Sequence, residues 1–153
     1  MISVKLAKIG LAALALVGGG VAPLAVGATP AEAASCGGRL VDSIAVKKGG
    51  KTYGTLKLYY SSATGKNCAR LDRVVNYGTK KGMILSLYAC GKGWSVSRCH
   101  RDFYKVGQDS GQFGQYAGPV TVPGRGRCVQ VQAGVQAKDN SWANYNSPVF
   151  HCG

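Results

Sequence analysis

Beyond residue 33, the side chains that could do chemistry are two histidines, five aspartates and six cysteines. His100 and His151 are the imidazoles an acid–base mechanism would have to use. Asp42, Asp72, Asp102, Asp109 and Asp139 are scattered, most in or beside apparent turns, and no glutamate follows Glu32. Glycoside hydrolysis needs two carboxylates facing one bond, and no pair is marked for that task. No G-x-S-x-G elbow accompanies the histidines. His100 reads as a strand-surface residue beside a disulfide and His151 as a residue of a C-terminal strand. A small basic nuclease or wall hydrolase is the weakest reading, and the expectation is a protein with no catalytic residues that is not an enzyme.

The cysteines take their meaning from the N-terminus. Lys5 and Lys8 precede an apolar stretch, Ile9 to Val26, which Gly18-Gly19-Gly20 and Pro23 interrupt. Ala31-Glu32-Ala33 then supplies the small-x-small pattern of a signal-peptidase site. A membrane anchor competes, because the stretch nears the ~20 residues of a spanning helix. The glycines, the proline and the cleavage pattern favour a signal peptide over residues 1–33. The exported domain is then 34–153, expected to be soluble and to have no membrane span after cleavage. Ser35 separates Ala34 from Cys36, so no lipid-bearing cysteine stands at the cut.

In an oxidising compartment Cys36, Cys68, Cys90, Cys99, Cys128 and Cys152 form three disulfides by default. Of the possible pairings, loop closure favours near neighbours: Cys36–Cys68, Cys90–Cys99 and Cys128–Cys152. A zinc site needs ligands at short, regular spacing. No C-x-x-C occurs, and the adjacent pairs Cys99-His100 and His151-Cys152 rarely point at one ion. No metal or other cofactor is expected.

The elements that must position these residues read as strands. Thr55 to Tyr60 alternates, with Leu56, Leu58 and Tyr60 on one face and Thr55, Lys57 and Tyr59 on the other. Further β-rich runs are Leu40 to Val46, Cys68 to Val75, Met83 to Cys90, Val96 to Val106, Phe113 to Val122, Arg127 to Ala137 and Trp142 to Phe150. Glycine-rich turns recur about every ten residues, and no 3.6-residue periodicity extends over three turns. The expected fold is all-β: one antiparallel sandwich or small barrel of seven to eight strands, stapled by disulfides. Pro119 and Pro123 mark the 113–122 run as an edge or bent strand. Around Cys90 two readings conflict. Gly91-Lys92-Gly93 as a tight turn pairs Cys90 with Trp94, whereas a Cys90–Cys99 bridge across a hairpin puts Trp94 at an exposed tip. The bridged loop is the favoured one.

Composition points to binding rather than catalysis. After residue 33 the chain has 17 basic and five acidic side chains, a net charge of +12. Lys47-Lys48, Lys80-Lys81, Arg98 with Arg101, and Arg125 with Arg127 are the candidate polyanion contacts. Such a surface attracts nucleic acid, anionic wall polymer or acidic membrane alike, and it also keeps a secreted protein soluble. Tyr59, Tyr77, Trp94, Tyr104, Tyr116 and Trp142 could supply stacking faces.

The segments Gly54-Thr55-Leu56-Lys57-Leu58-Tyr59-Tyr60, Thr64-Gly65-Lys66-Asn67-Cys68 and Asp109 to Val120, with its Tyr116-Ala117-Gly118-Pro119-Val120 block, precede a His151-Cys152-Gly153 ending. In this order they resemble the spore-associated protein A family, small secreted proteins of streptomycetes and other actinobacteria. The resemblance implies an extracellular protein of the spore or cell surface and carries over no activity, ligand or catalytic residue. Cys36, Cys68, Cys128 and Cys152 fit the family's cysteine places, and Cys90 with Cys99 looks like an addition. The expected role is a non-enzymatic surface protein adhering to an anionic cell-wall or spore-surface polymer, with no specific nucleic-acid partner. The competing role is a secreted binding or inhibitor module that presents the Cys90–Cys99 loop to a protein partner.

Overall fold

Alternation along Lys51–Ser61 buries Leu56 and Leu58 completely and leaves Lys57 and Tyr59 on the opposite face. Side chains alternate between the two faces of each strand in the same way, and this sets which of them the opposite sheet covers. In the computed structural model, which describes residues 35–153, eight strands and one short helix result. The expected signal peptide and its cleavage after Ala33 lie outside the described residues.

The strands are β1 Arg39–Lys48, β2 Lys51–Ser61, β3 Lys66–Arg73, β4 Lys81–Cys90, β5 Lys105–Phe113, β6 Tyr116–Pro123, β7 Cys128–Gln136 and β8 Trp142–Asn146. Helix α1, Val96–Asp102, lies between β4 and β5. Two four-stranded antiparallel sheets form, in the orders β1-β2-β3-β6 and β5-β4-β7-β8. This is a sandwich and not a closed barrel. The inner faces interlock Leu56, Leu58 and Leu71 of one sheet with Met83, Leu85, Leu87, Val129, Val131 and Val135 of the other, all fully buried. Each such leucine contributes roughly 1.5–3 kcal/mol by leaving water. β6, which holds Pro119 and Pro123, is an edge strand as its prolines require.

Three segments depart most from the sequence reading. Val96 to Val106 is not one strand, because its first seven residues are helix α1. Ser95 is the N-cap, its hydroxyl accepting from the Arg98 N–H at 3.1 Å, and Cys99 N–H bonds back to the Ser95 carbonyl at 2.9 Å. One helical turn is enough to aim Cys99 at β4. Phe113 ends β5 rather than opening β6, and β5, Lys105–Phe113, has no apolar alternation to announce it. It is held instead by a nine-position ladder to β4. Trp142 to Phe150 shortens to β8, after which Phe150 makes an isolated bridge to Val129.

The disulfides are Cys36–Cys68, Cys90–Cys99 and Cys128–Cys152, the near-neighbour pairing. All three lie toward one end of the sandwich, where β3 and β7 begin and β4 ends.

Candidate functional site

Antiparallel pairing divides the candidate basic residues between two poles roughly 30 Å apart, the length of the ten-residue strand β4. Lys47 and Lys48 end β1, and Lys80 and Lys81 stand at the start of β4, at the pole built from turns. Arg98 and Arg101 lie on α1, and Arg125 and Arg127 in the β6–β7 connection, at the disulfide pole. The eight side chains therefore do not form one patch.

At the turn pole, Lys48 reaches the Ser141 hydroxyl and lies 3.7 Å from the Asp139 carboxylate. Lys81 Nζ donates to Asn140 Oδ1 at 3.2 Å. Hydrogen bonds from the Ser141 hydroxyl and backbone N–H, outweighing desolvation, hold the Asp139 carboxyl below the usual carboxylate range. Lys80 and Arg73 line an open cleft of about 410 Å³ with Asn76 and Thr79. The four lysines sit on flexible stems, two of them joined to the β7–β8 turn, whereas Arg73 lies over Tyr77 at 5.8 Å and donates to Thr79 O at 3.0 Å.

The disulfide pole is built differently. Trp94 follows a turn in which its N–H bonds to Gly91 O at 3.2 Å, and the indole folds back over that glycine. A Cβ on Gly91 would stand 2.3 Å from Trp94 Cε2, so any larger residue there would displace the indole. Tyr104 leaves α1 with its N–H on Ala89 O at 2.9 Å and stacks on Trp94, ring centroids 5.2 Å apart and planes 20° from parallel. Arg98 covers Trp94 with its guanidinium carbon 4.8 Å from the ring centre, and Arg127 covers Tyr104 at 3.5 Å. Trp94 is thus half-buried within a four-member column, not a free aromatic at a hairpin tip. The reason is α1, which turns the chain back before a hairpin forms. Asp102 receives Arg101 at 3.3 Å and Arg98 at 3.8 Å, one carboxylate for two guanidiniums. Arg125 donates to Ser62 O at 3.3 Å.

The histidines occupy separate places. His100 lies on α1, not on a strand, and Nε2 is 2.8 Å from Gln130 Oε1. The Gln130 amide nitrogen donates to Val131 O and Ser147 O, which leaves Oε1 as the acceptor facing the His100 ring. His151 Nε2 meets Asp42 Oδ2 at 3.1 Å beside a cleft of about 210 Å³ lined by Arg39, Tyr60 and Asn67. Nothing in the spacing of residues 42 and 151 signalled that pair. Asp72 lies on the outer face of the first sheet. Burial would push its carboxyl up, but hydrogen bonds from Arg70 and Lys57 and their charges outweigh this and hold it below the usual range. Among the described residues no three His, Cys, Asp or Glu side chains gather as metal ligands.

The chain is 36% identical to spore-associated protein A of Streptomyces coelicolor over 152 residues, covering 94% of this chain and 85% of the relative. It belongs to the spore-associated protein A family. No family model matches the chain. No solved structure matches it either.

Proposed function

We propose that this family member is a non-enzymatic protein of the spore or cell surface that adheres to an anionic wall or spore polymer through its disulfide pole. The relative's name supports the location, and the Arg98–Trp94–Tyr104–Arg127 column carries the chemistry. A guanidinium lying on a ring keeps its in-plane donors for a phosphate or carboxylate, and it has less rotamer freedom to lose on binding than a free lysine. Contacts of this type are individually weak, and repetition along a polymer multiplies them. Export by the N-terminal segment would bring the protein to that polymer and form its disulfides.

Elution from purified walls or spores across a salt gradient tests the reading. Release below about 1 M salt is expected, because counterions are taken up again and charges are screened within a few Å there. Retention above that, or no binding at low salt, contradicts it. The inhibitor reading gains no support from the 90–99 loop, whose second half is helical rather than extended.

A further inference from the structure

The solvent face of the second sheet has a composition unlike the rest of the surface. The registers align rows across β5, β4, β7 and β8. Gln108, Ser86, Gln132 and Asn146 form one row, and Ser110, Ile84, Gly134 and Asn144 the next. Gln112 then faces Gly82 while Gln136 faces Trp142. None of these side chains is charged, in a domain with 17 basic and five acidic residues. The outer face of the first sheet, by contrast, carries the ion-paired Lys57, Arg70 and Asp72.

Two further features shape this face. Gly134 lacks a side chain between Ile84 and Asn144, and a shallow groove of about 240 Å³ opens there, bordered also by Gln132 and Asn146. Trp142 lies across the glycines at its end: a Cβ on Gly82 would be 2.8 Å from Cη2, and one on Gly134 3.2 Å from Cε3. Ser110, Gln112, Asn144 and Asn146 are exposed, and among the described residues their side chains make no hydrogen bond.

We propose that this face binds an uncharged polysaccharide, laid along the groove over Gly134 with a sugar ring against Trp142. Charge selects the occupant. A nucleic acid, a teichoic polymer or an acidic membrane requires cations, and these rows supply none, with the His100 ring of α1 reaching Gln132 at 3.4 Å. A protein interface of ordinary kind centres on aromatic and aliphatic anchors, whereas Ile84 is the one large aliphatic side chain in the middle of these rows. Amides and a hydroxyl each donate and accept, which matches sugar hydroxyls that do the same. An indole lying on glycines offers a flat apolar surface to the C–H face of a pyranose. This site is independent of the arginine column and works at salt concentrations that silence the latter.

The experiment is co-sedimentation of the disulfide-bonded protein with microcrystalline cellulose, chitin and insoluble amylose in 1 M NaCl, where the Debye length is about 3 Å. Binding to at least one of the three is expected. The double variant Asn144→Ala/Asn146→Ala should reduce the bound fraction about tenfold, since two modest hydrogen-bonding groups are lost. Arg98→Ala/Arg127→Ala should leave it unchanged. Melting temperatures report whether both variants fold; the altered asparagines make no internal bond, and the arginine variant loses only the contacts of the column and of Asp102. Failure to bind any of the three in 1 M salt overturns the proposal, as does equal binding by the asparagine variant. Sedimentation that reveals a dimer lost in the asparagine variant would assign the face to a second copy and also overturn it.

Discussion

The two poles of the sandwich have the same sign of charge but opposite construction. At the turn pole, lysines extend from strand ends and are joined to one aspartate, one serine and one asparagine of the β7–β8 turn. At the disulfide pole, three cross-links, a capped helix and an aromatic column fix the backbone and two of the arginines. Counting basic residues makes the poles equivalent. Their stems do not, because a flexible ammonium gives up on binding the freedom that a stacked guanidinium has already lost in folding.

The largest expected effect breaks the disulfide pole outright. Cys36→Ser/Cys68→Ser opens a 32-residue separation and should cost about 3.5 kcal/mol by the chain-entropy relation, read from urea unfolding. Cys90→Ser/Cys99→Ser, with a separation of nine, should cost about 2.5 kcal/mol. If the shorter bridge proves the costlier, packing of buried Cys90 and Cys99 outweighs loop closure and the pole is held from within.

Trp94→Ala sharpens the comparison at one residue. It removes the surface on which both Arg98 and Tyr104 rest, and for a half-buried tryptophan the cost should be about 2 kcal/mol. Thermal unfolding would measure this. Loss below about 0.5 kcal/mol would mean that the column is decorative.

Acid titration touches the strands between the poles. Asp72 ionises more readily folded than unfolded, so its contribution is full above the unfolded value near pH 4 and declines as pH falls through the folded value. The melting temperature of the protein should therefore fall more steeply than that of Asp72→Asn between about pH 5 and about pH 2.5. Parallel curves would remove Asp72 from the account. The smallest effect belongs to the turn pole: Lys48→Ala should change stability by no more than about 0.5 kcal/mol in urea, as for exposed pairs generally.

What the sequence disclosed and what it hid follow from range. Leu56 and Leu58 announce themselves because alternation is local, and the near-neighbour cysteine pairs because loop closure is local too. Residues 107–112 of β5 were hidden because glycine, aspartate and glutamine give no strand signal, and only the ladder with β4 makes them strand. The helix was hidden by its length of seven residues, and its cap shows only in the bond from the Arg98 N–H to the Ser95 hydroxyl. Residues 94, 98, 104 and 127 were each visible as aromatic or basic. Their stacking depends on how two connections meet at one pole, and no spacing records that.

The central claim is that ordered arginines, not charge alone, make the disulfide pole adhesive. Arg98→Ala/Arg127→Ala and Lys47→Ala/Lys48→Ala each remove two positive charges, so binding of both to purified wall across a salt series is the direct measurement. The arginine variant should lose about tenfold in affinity at 0.1 M salt and its log–log salt slope should fall by about two, while the lysine variant loses clearly less. Equal losses, or a greater loss from the lysine pair, would contradict the claim.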